Sequence, residues 1–331
     1  MRDECAFDAC RKPAEEASSL PPEVYLSDAF QSAEIERFFR GGWVGVGRSD
    51  MVAGPGDFIT LDFAGQTVLL LRDAEGVLRA YANTCRHRGA RLAEGSGTCK
   101  GIRCPFHSWF YALDGRLVSA PQMEAATGFE RGENGLIAYR AEERGGFVFV
   151  CLDQAAGPLD DHLGDFLDIH APWPLAELTT VRRRELEVDC NWKLFLDVFN
   201  EYYHLPFVHP TSIDSIYAGP DPADQVTGAF ATQFGRTEGT GALLESDQDH
   251  ALPGFDTRVA AYLDRLDAAL DEDVPALINQ QRGMACPDAV PGRFQPELEP
   301  NVARFARWYS NAIRGLGAGP INPAPLARER Q

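Results

Sequence analysis

The stretches CRHRGARL (residues 85–92) and CPFHSWFYALDG (residues 104–115) decide how this chain reads. They give Cys85-x-His87 and, after 16 intervening residues, Cys104-x-x-His107. Each half supplies one thiol and one imidazole. A [2Fe–2S] centre with two thiolates on one iron and two imidazoles on the other needs this donor set. Its neutral imidazoles raise the potential above that of an all-Cys cluster. Two short loops, each carrying one Cys and one His, can grip such a cluster from either side. Zinc is the competing reading, but structural zinc sites take Cys and His from C-x₂₋₄-C and H-x₃₋₅-H pairs. Mixed pairs in both halves depart from that pattern. The chain has only 7 His, so two of them falling in this register by chance is improbable.

Working outward, the region from Trp43 to Asp153 reads as short strands cut by turns. WVGVG, FITLDF, TVLLLRD, VLRAYAN, WFYAL, RLVSA and FVFVCLD are rich in Val, Leu and aromatics. Pro55-Gly56, Glu75-Gly76 and Asp114-Gly115 punctuate them, an all-β pattern. After His162 the character changes. Pro172-Trp173-Pro174 reads as a linker and Glu185–Asp189 as a strand. Residues 191–205 place Trp192, Phe195, Phe199 and Tyr202 at helical spacing. Further helices fit Val259–Leu270 and Asn301–Ile313. The last residues, GLGAGPINPAPLARERQ, are Gly/Pro-rich and read as disordered.

A second constellation lies in NWKLFLDVFNEYYHLPFVHP (residues 191–210), where Glu201, His204 and His209 form E-x-x-H-x₄-H. On a helix Glu201 and His204 share a face while His209 falls off it. The residue before a proline is pushed out of the helical region, so Leu205-Pro206 should end the helix and let His209 return. Two imidazoles and one carboxylate on one face of a metal leave open positions, as in non-heme Fe(II) oxygenases. For the carboxylate, Asp273 continues the apolar stripe of Leu263, Leu266 and Leu270, and a metal is one partner for an acid so placed. Asp271 falls on a polar side, and Glu272 points away from the stripe near Arg265. The alternative is that Asp273 caps a new helix opening with Val274-Pro275.

Composition bounds the rest. With 31 basic and 49 acidic residues the formal charge is −18, which argues against nucleic acid or an anionic membrane as partner. There is no apolar run long enough to span a bilayer and no apolar stretch of signal-peptide type at the start. A cytoplasmic, reducing location follows by default. Cys5, Cys10, Cys99, Cys151, Cys190 and Cys286 then read as scattered thiols rather than disulfides.

The wording of both motifs resembles the Rieske non-heme iron oxygenases, in particular the α subunits of aromatic-ring-hydroxylating dioxygenases. The resemblance runs from about Leu20 to Ile313. It implies an α+β chain: an all-β Rieske [2Fe–2S] domain, then an apparently shortened, helix-grip-like α+β catalytic domain. The expected division is a 1–22 arm, a 23–160 Rieske domain, a 161–315 mononuclear-iron domain and a 316–331 tail. Cys85, His87, Cys104 and His107 match the cluster ligands, and His204 and His209 two of the iron ligands. DEDVPALINQQRGM looks like the segment carrying the third, at Asp273, and PELEPNVARFARWY like the closing helix. Glu201 matches the acid lying between the cluster of one subunit and the iron of its neighbour. Many members have Asp there; Glu occurs in some, including enzymes acting on quaternary amines. Val198 stands where many members have Asn. Only 63 residues separate His209 from Asp273, where members usually have a longer strand-rich stretch flooring the substrate cavity.

The activity so implied is hydroxylation of an aromatic or other small organic substrate with O₂, by ring dihydroxylation, monohydroxylation or oxidative demethylation. Electrons would come from NADH or NADPH through a separate reductase or ferredoxin, in a homo-oligomer, by resemblance a trimer, with room for a β subunit. The short span keeps an alternative open: a Rieske electron-transfer protein whose second domain no longer turns over. The retained set Glu201, His204, His209 and Asp273 speaks against it.

Overall fold

VLLL (residues 68–71) in the middle of the first domain is apolar at every position because it is buried on both faces. The computed structural model, which describes residues 7–213, 217–220, 226–232, 235–237 and 253–313, shows why. Val68 and Leu70 join Ile59, Ala80, Val148 and Val150 in one core, while Leu69 and Leu71 join Tyr81, Cys85, Cys104, Trp109 and Tyr111 in another. Successive residues of a strand point to opposite faces, so one strand feeds two cores.

That strand is β3 (Gln66–Arg72), paired antiparallel with β2 (Asp57–Phe63) and β4 (Leu78–Ala82). With β1 (Trp43–Arg48), β5 (Ser96–Thr98), β9 (Ala138–Arg144) and β10 (Phe147–Cys151) they form a seven-stranded sheet in the order β1-β10-β9-β4-β3-β2-β5. Gly145 and Gly146, both at positive φ, turn β9 into β10. Two successive left-handed residues match the twist of a tight hairpin, which is why glycines stand there. A second sheet, β6 (Ile102–Arg103), β7 (Phe110–Tyr111) and β8 (Leu117–Ser119), carries the second cluster motif between its first two strands. Seven expected strands are present. β5, β6 and β9 were not anticipated, being either very short or, like AYRAEER, polar along their length.

Two compact units emerge: Glu34–Arg184 with Thr227–Ala229, and Met1–Ala33 with Glu185–Val226 and Phe230–Gln331. The boundary expected at 160/161 therefore lies inside the β-rich unit. The described part of the segment read as a loose arm is packed, with Cys10, Ala17 and Leu20 buried. Residues 185–189 form no strand. Between His209 and Asp273 the described residues hold one two-stranded ribbon, Tyr217–Pro220 with Gly235–Thr237. The expected tail at 316–331 lies outside the described residues.

Three helical segments of the second unit matter for the site. Asn191 caps the helix Trp192–Val198, its side-chain oxygen accepting from the Lys193 N–H. This helix stops seven residues before Leu205, where it was expected to end. Asn200 closes it, donating from Nδ2 to the Leu196 carbonyl at 2.7 Å. A separate turn, Leu205–Val208, then starts with Pro206 in its first positions. Proline lacks an N–H that the first turn of a helix does not use, so Leu205-Pro206 opens a helix here rather than closing one. The third segment, Phe255–Met284, is continuous through Pro275. The break considered at Val274-Pro275 does not occur.

Candidate metal centres

The two cluster loops are built alike. In the first, Cys85 N–H donates to the Ala90 carbonyl at 2.8 Å and Gly89 N–H to the Cys85 carbonyl at 2.9 Å. In the second, Cys104 N–H donates to the Trp109 carbonyl at 2.8 Å and Ser108 N–H to the Cys104 carbonyl at 3.1 Å. The residue four after each cysteine, Gly89 or Ser108, is left-handed, with φ of 77° and 58°. Cys85 and Cys104 are buried, unbridged thiols. The His87 and His107 rings lie 4.7 Å apart, and His87 stacks on Trp109 at 4.9 Å.

His87 Nδ1 is buried without a hydrogen-bond partner. Such an atom is costly unless it is a ligand. Desolvation, with the His87 and Arg88 charges adding, holds the His107 imidazole below its usual value, toward the neutral form that ligation needs. Among the described residues, Cys85, His87, Cys104 and His107 do not form a group tight enough for one metal ion. One thiol and one imidazole from each loop are the donor set of a two-iron cluster with two thiolates on one iron and two imidazoles on the other.

Tyr111, missed in the sequence, is fully buried with its hydroxyl 3.3 Å from Cys85 Sγ. The same oxygen accepts from the Arg86 N–H at 3.1 Å, leaving its proton for the sulfur. Burial, then the Cys85 contact, pushes this phenol above its ordinary value, so it stays a donor. Hydrogen bonds to sulfur stabilise the reduced cluster. A bond of about 1 kcal/mol corresponds to roughly 40 mV for one electron. Tyr111→Phe is therefore expected to lower the midpoint potential by about 40 mV in a redox titration followed by absorbance. An unchanged potential would mean that the hydroxyl does not bond the sulfur.

In the other unit, the turn Leu205–Val208 folds His209 back against His204, with ring centroids 5.1 Å apart. On the long helix Ala269, Asp273 and Leu277 are buried at successive four-residue steps. Asp273 Oδ1 is 2.9 Å from His209 Nε2 and 3.6 Å from His204 Nε2, and the two Nε2 atoms are 3.2 Å apart. Ligands at right angles on a metal with bonds of about 2.1 Å stand roughly 3 Å apart. Oδ1 is buried and makes no hydrogen bond of sound geometry, and burial raises the Asp273 carboxyl above its ordinary range. Among the described residues this is the one group of three or more His, Cys, Asp or Glu set close enough for a metal ion.

The outer nitrogens are held as well. Glu201 Oε1 bonds His204 Nδ1, and its Oε2 accepts from the backbone N–H of Tyr203 and of His204. Glu201 and His204 thus meet in a non-helical turn, not along a helix face. Glu272 Oε2 lies 2.8 Å from His209 Nδ1 and accepts from Ser212 Oγ at 2.5 Å. This corrects the expectation that Glu272 points away. The Ser212 and His209 bonds hold the Glu272 carboxyl below its ordinary range, so it is anionic at neutral pH. Helix periodicity gave no signal for this role; the burial of His209 between two consecutive acids is what reveals it. Carboxylates on the outer nitrogen of a ligating histidine fix its tautomer, and their loss typically costs 10–100-fold in affinity. Glu272→Ala is accordingly expected to weaken Fe(II) binding by roughly 10–100-fold, by titration of iron-depleted protein, and to leave the cluster spectrum unchanged. Equal affinity would remove Glu272 from the site.

A family model described as "Rieske [2Fe-2S] domain" matches residues 42–133, and one described as "Ring hydroxylating alpha subunit (catalytic domain)" matches residues 175–253. The chain belongs to the Rieske non-heme iron oxygenase family, among its α subunits. The carnitine monooxygenase oxygenase subunit of Acinetobacter baumannii is 33% identical over 212 residues, 63% of this chain and 57% of that protein. The chloroplastic choline monooxygenase of Spinacia oleracea is 33% identical over 203 residues, 60% of this chain and 46% of that protein. The match thus spans about half the length of these curated relatives. Crystal structures of the quaternary ammonium Rieske monooxygenase CntA share the fold, one with TM-score 0.83 at 23% identity, covering 92% of this chain and 98% of that one. The two domains of a Rieske oxygenase imply a [2Fe–2S] cluster and a mononuclear Fe(II). The donor sets above fit both. No helix among the described residues is long and apolar enough to cross a membrane. The expected link to aromatic-hydrocarbon breakdown finds no support in these curated relatives, whose names are those of enzymes for quaternary ammonium compounds.

Proposed function

We propose that this chain is the oxygenase subunit of a Rieske monooxygenase acting on a small quaternary ammonium compound. The observation that carries an oxygenase rather than an electron carrier is the set His204, His209 and Asp273, drawn to within 3.6 Å around an unbonded buried carboxylate oxygen. A carrier has no use for it. The substrate class rests on the names of the relatives and on Glu at position 201. A quaternary ammonium has no N–H to donate and is held by aromatic faces and carboxylates.

Iron held by two imidazoles and a carboxylate supplies O₂ activation, and the cluster supplies single electrons. One oxygen atom enters a substrate C–H bond, and the other leaves as water with two electrons and two protons. Cys85, His87, Cys104 and His107 are assigned to the cluster, with Tyr111 bonding one sulfur. His204, His209 and Asp273 are assigned to the iron, with Glu272 and Ser212 positioning His209. Glu201 positions His204, and by family resemblance it faces the cluster of a neighbouring subunit, which makes the working unit a homotrimer. Electrons come from NADH or NADPH through a separate reductase, in the cytoplasm.

The test is oxygen uptake with a reductase and NADH in the presence of carnitine, choline, glycine betaine or, as control, naphthalene. Quaternary-ammonium-dependent uptake with a hydroxylated or dealkylated product is expected. Uptake with naphthalene alone overturns the substrate class, and no uptake by iron-loaded protein with any of them overturns the oxygenase reading.

A further inference from the structure

The two cluster loops match from the cysteine to the left-handed residue, but their bases differ. The second is closed by a hairpin, with Ile102 opposite Tyr111 and Arg103 opposite Phe110 on β6 and β7. The first has no such strands. β4 ends at Ala82 and the next strand starts at Ser96, and between them stands only the isolated bridge of Thr84 with Arg91. Ligands bind a metal well when the groups around them fix their position, so Cys85 and His87 need another support.

Asn83, fully buried at the start of this loop, supplies it. Its Oδ1 accepts from the N–H groups of Leu92 at 3.2 Å and Ala93 at 3.0 Å. Its Nδ2 donates to the Ala93 carbonyl at 2.8 Å and to Thr67 Oγ1 at 3.2 Å. Its own N–H donates to the Thr67 carbonyl at 2.9 Å. A side-chain amide has two donors and one oxygen with two lone pairs, and here all four positions are taken. Aspartate lacks the donors, and alanine lacks both kinds of group. We propose that Asn83 is the positioning residue of the first cluster loop. One side chain joins the residue before Thr84 to the two residues after Arg91 and hangs both on β3. It does for this loop what the β6–β7 hairpin does for the other. The Cys85 thiol and the His87 ring, stacked on Trp109, are thereby held in one geometry. The inference rests on the cluster assignment and not on the oxygenase reading.

Hydrogen exchange of the full-length holoprotein tests the clamp without any variant. The Leu92 and Ala93 amides are expected to exchange with the slow amides of β3 and β4, and fast exchange there would overturn the proposal. Asn83→Ala should speed both amides by roughly tenfold or more and bleach about 10–100-fold faster with an iron chelator. Its reduced-state electron paramagnetic resonance signal should show shifted g values. Thr67→Val, which removes one of the four bonds at nearly constant shape, should shift them in the same direction by less. Val148→Ala, in the other core, controls for plain loss of stability. It should melt lower yet, below its melting range, keep the wild-type signal and bleaching rate. Unshifted g values in both Asn83→Ala and Thr67→Val, or a Val148→Ala protein that reproduces the shift and the faster bleaching, would overturn the positioning role. A colourless wild type would sink the cluster assignment, whereas the exchange pattern reads the clamp by itself.

Discussion

Asp273→Ala is expected to abolish mononuclear iron binding while making the metal-free protein no less stable than the wild type. The two effects have one cause. Asp273 Oδ1 is buried, lacks a sound hydrogen bond, and faces two imidazole nitrogens at 2.9 and 3.6 Å. Without a metal such a carboxylate destabilises the fold, so removing it relieves a local penalty. With a metal it would be one of three protein ligands. Its loss should therefore cost more than the 10–100-fold expected for an outer partner such as Glu272. Iron content per chain, substrate-dependent oxygen uptake and the melting temperature of iron-depleted protein check this together. A large fall in melting temperature without metal would mean that Asp273 is a packing residue.

Cys104→Ala is expected to remove the [2Fe–2S] cluster completely, with loss of visible colour and of the reduced-state paramagnetic signal, and with it all reductase-dependent turnover. One iron would keep a single thiolate, and its neighbour cannot hold the pair alone. The sheet should survive, because none of its seven strands contains Cys85 or Cys104. Circular dichroism should then change little while the melting temperature falls, since ligand-derived stabilisation is lost. The iron at His204, His209 and Asp273 should load normally. Retention of the colour would show that Cys104 is not a ligand.

Much of this was legible in the sequence, and the misses have physical reasons. The cluster motifs are local, and their loops repeat one hydrogen-bond pattern, so spacing alone pointed to them. Asp273 was legible because an acid in an apolar stripe asks for a partner. Glu272 was not, because helix periodicity put it off that stripe. Only the three-dimensional position of His209, with one nitrogen toward each of two consecutive acids, reveals it. Tyr111 looked like an ordinary strand aromatic, and its bond to Cys85 joins residues 26 apart. Proline misled at Pro206, whereas the break weighed at Pro275 was the alternative to the ligand reading. Pro206 opens a turn that brings His209 to His204, and Pro275 is carried inside a helix whose Asp273 and Leu277 are buried on one face. That packing outweighs a cost of about 3 kcal/mol for proline within a helix. Cys10, Ala17 and Leu20 show why a polar, Pro-containing start need not be loose: three small buried contacts carry no periodicity.

The most direct test of two iron centres in one chain is electron paramagnetic resonance of the anaerobically reduced, iron-supplied protein after addition of nitric oxide. Two signals are predicted in the same sample, one from the reduced Rieske cluster and one from nitrosylated mononuclear Fe(II), the second absent in Asp273→Ala. A cluster signal alone would contradict the account and leave an electron-transfer protein with a catalytic domain in name only.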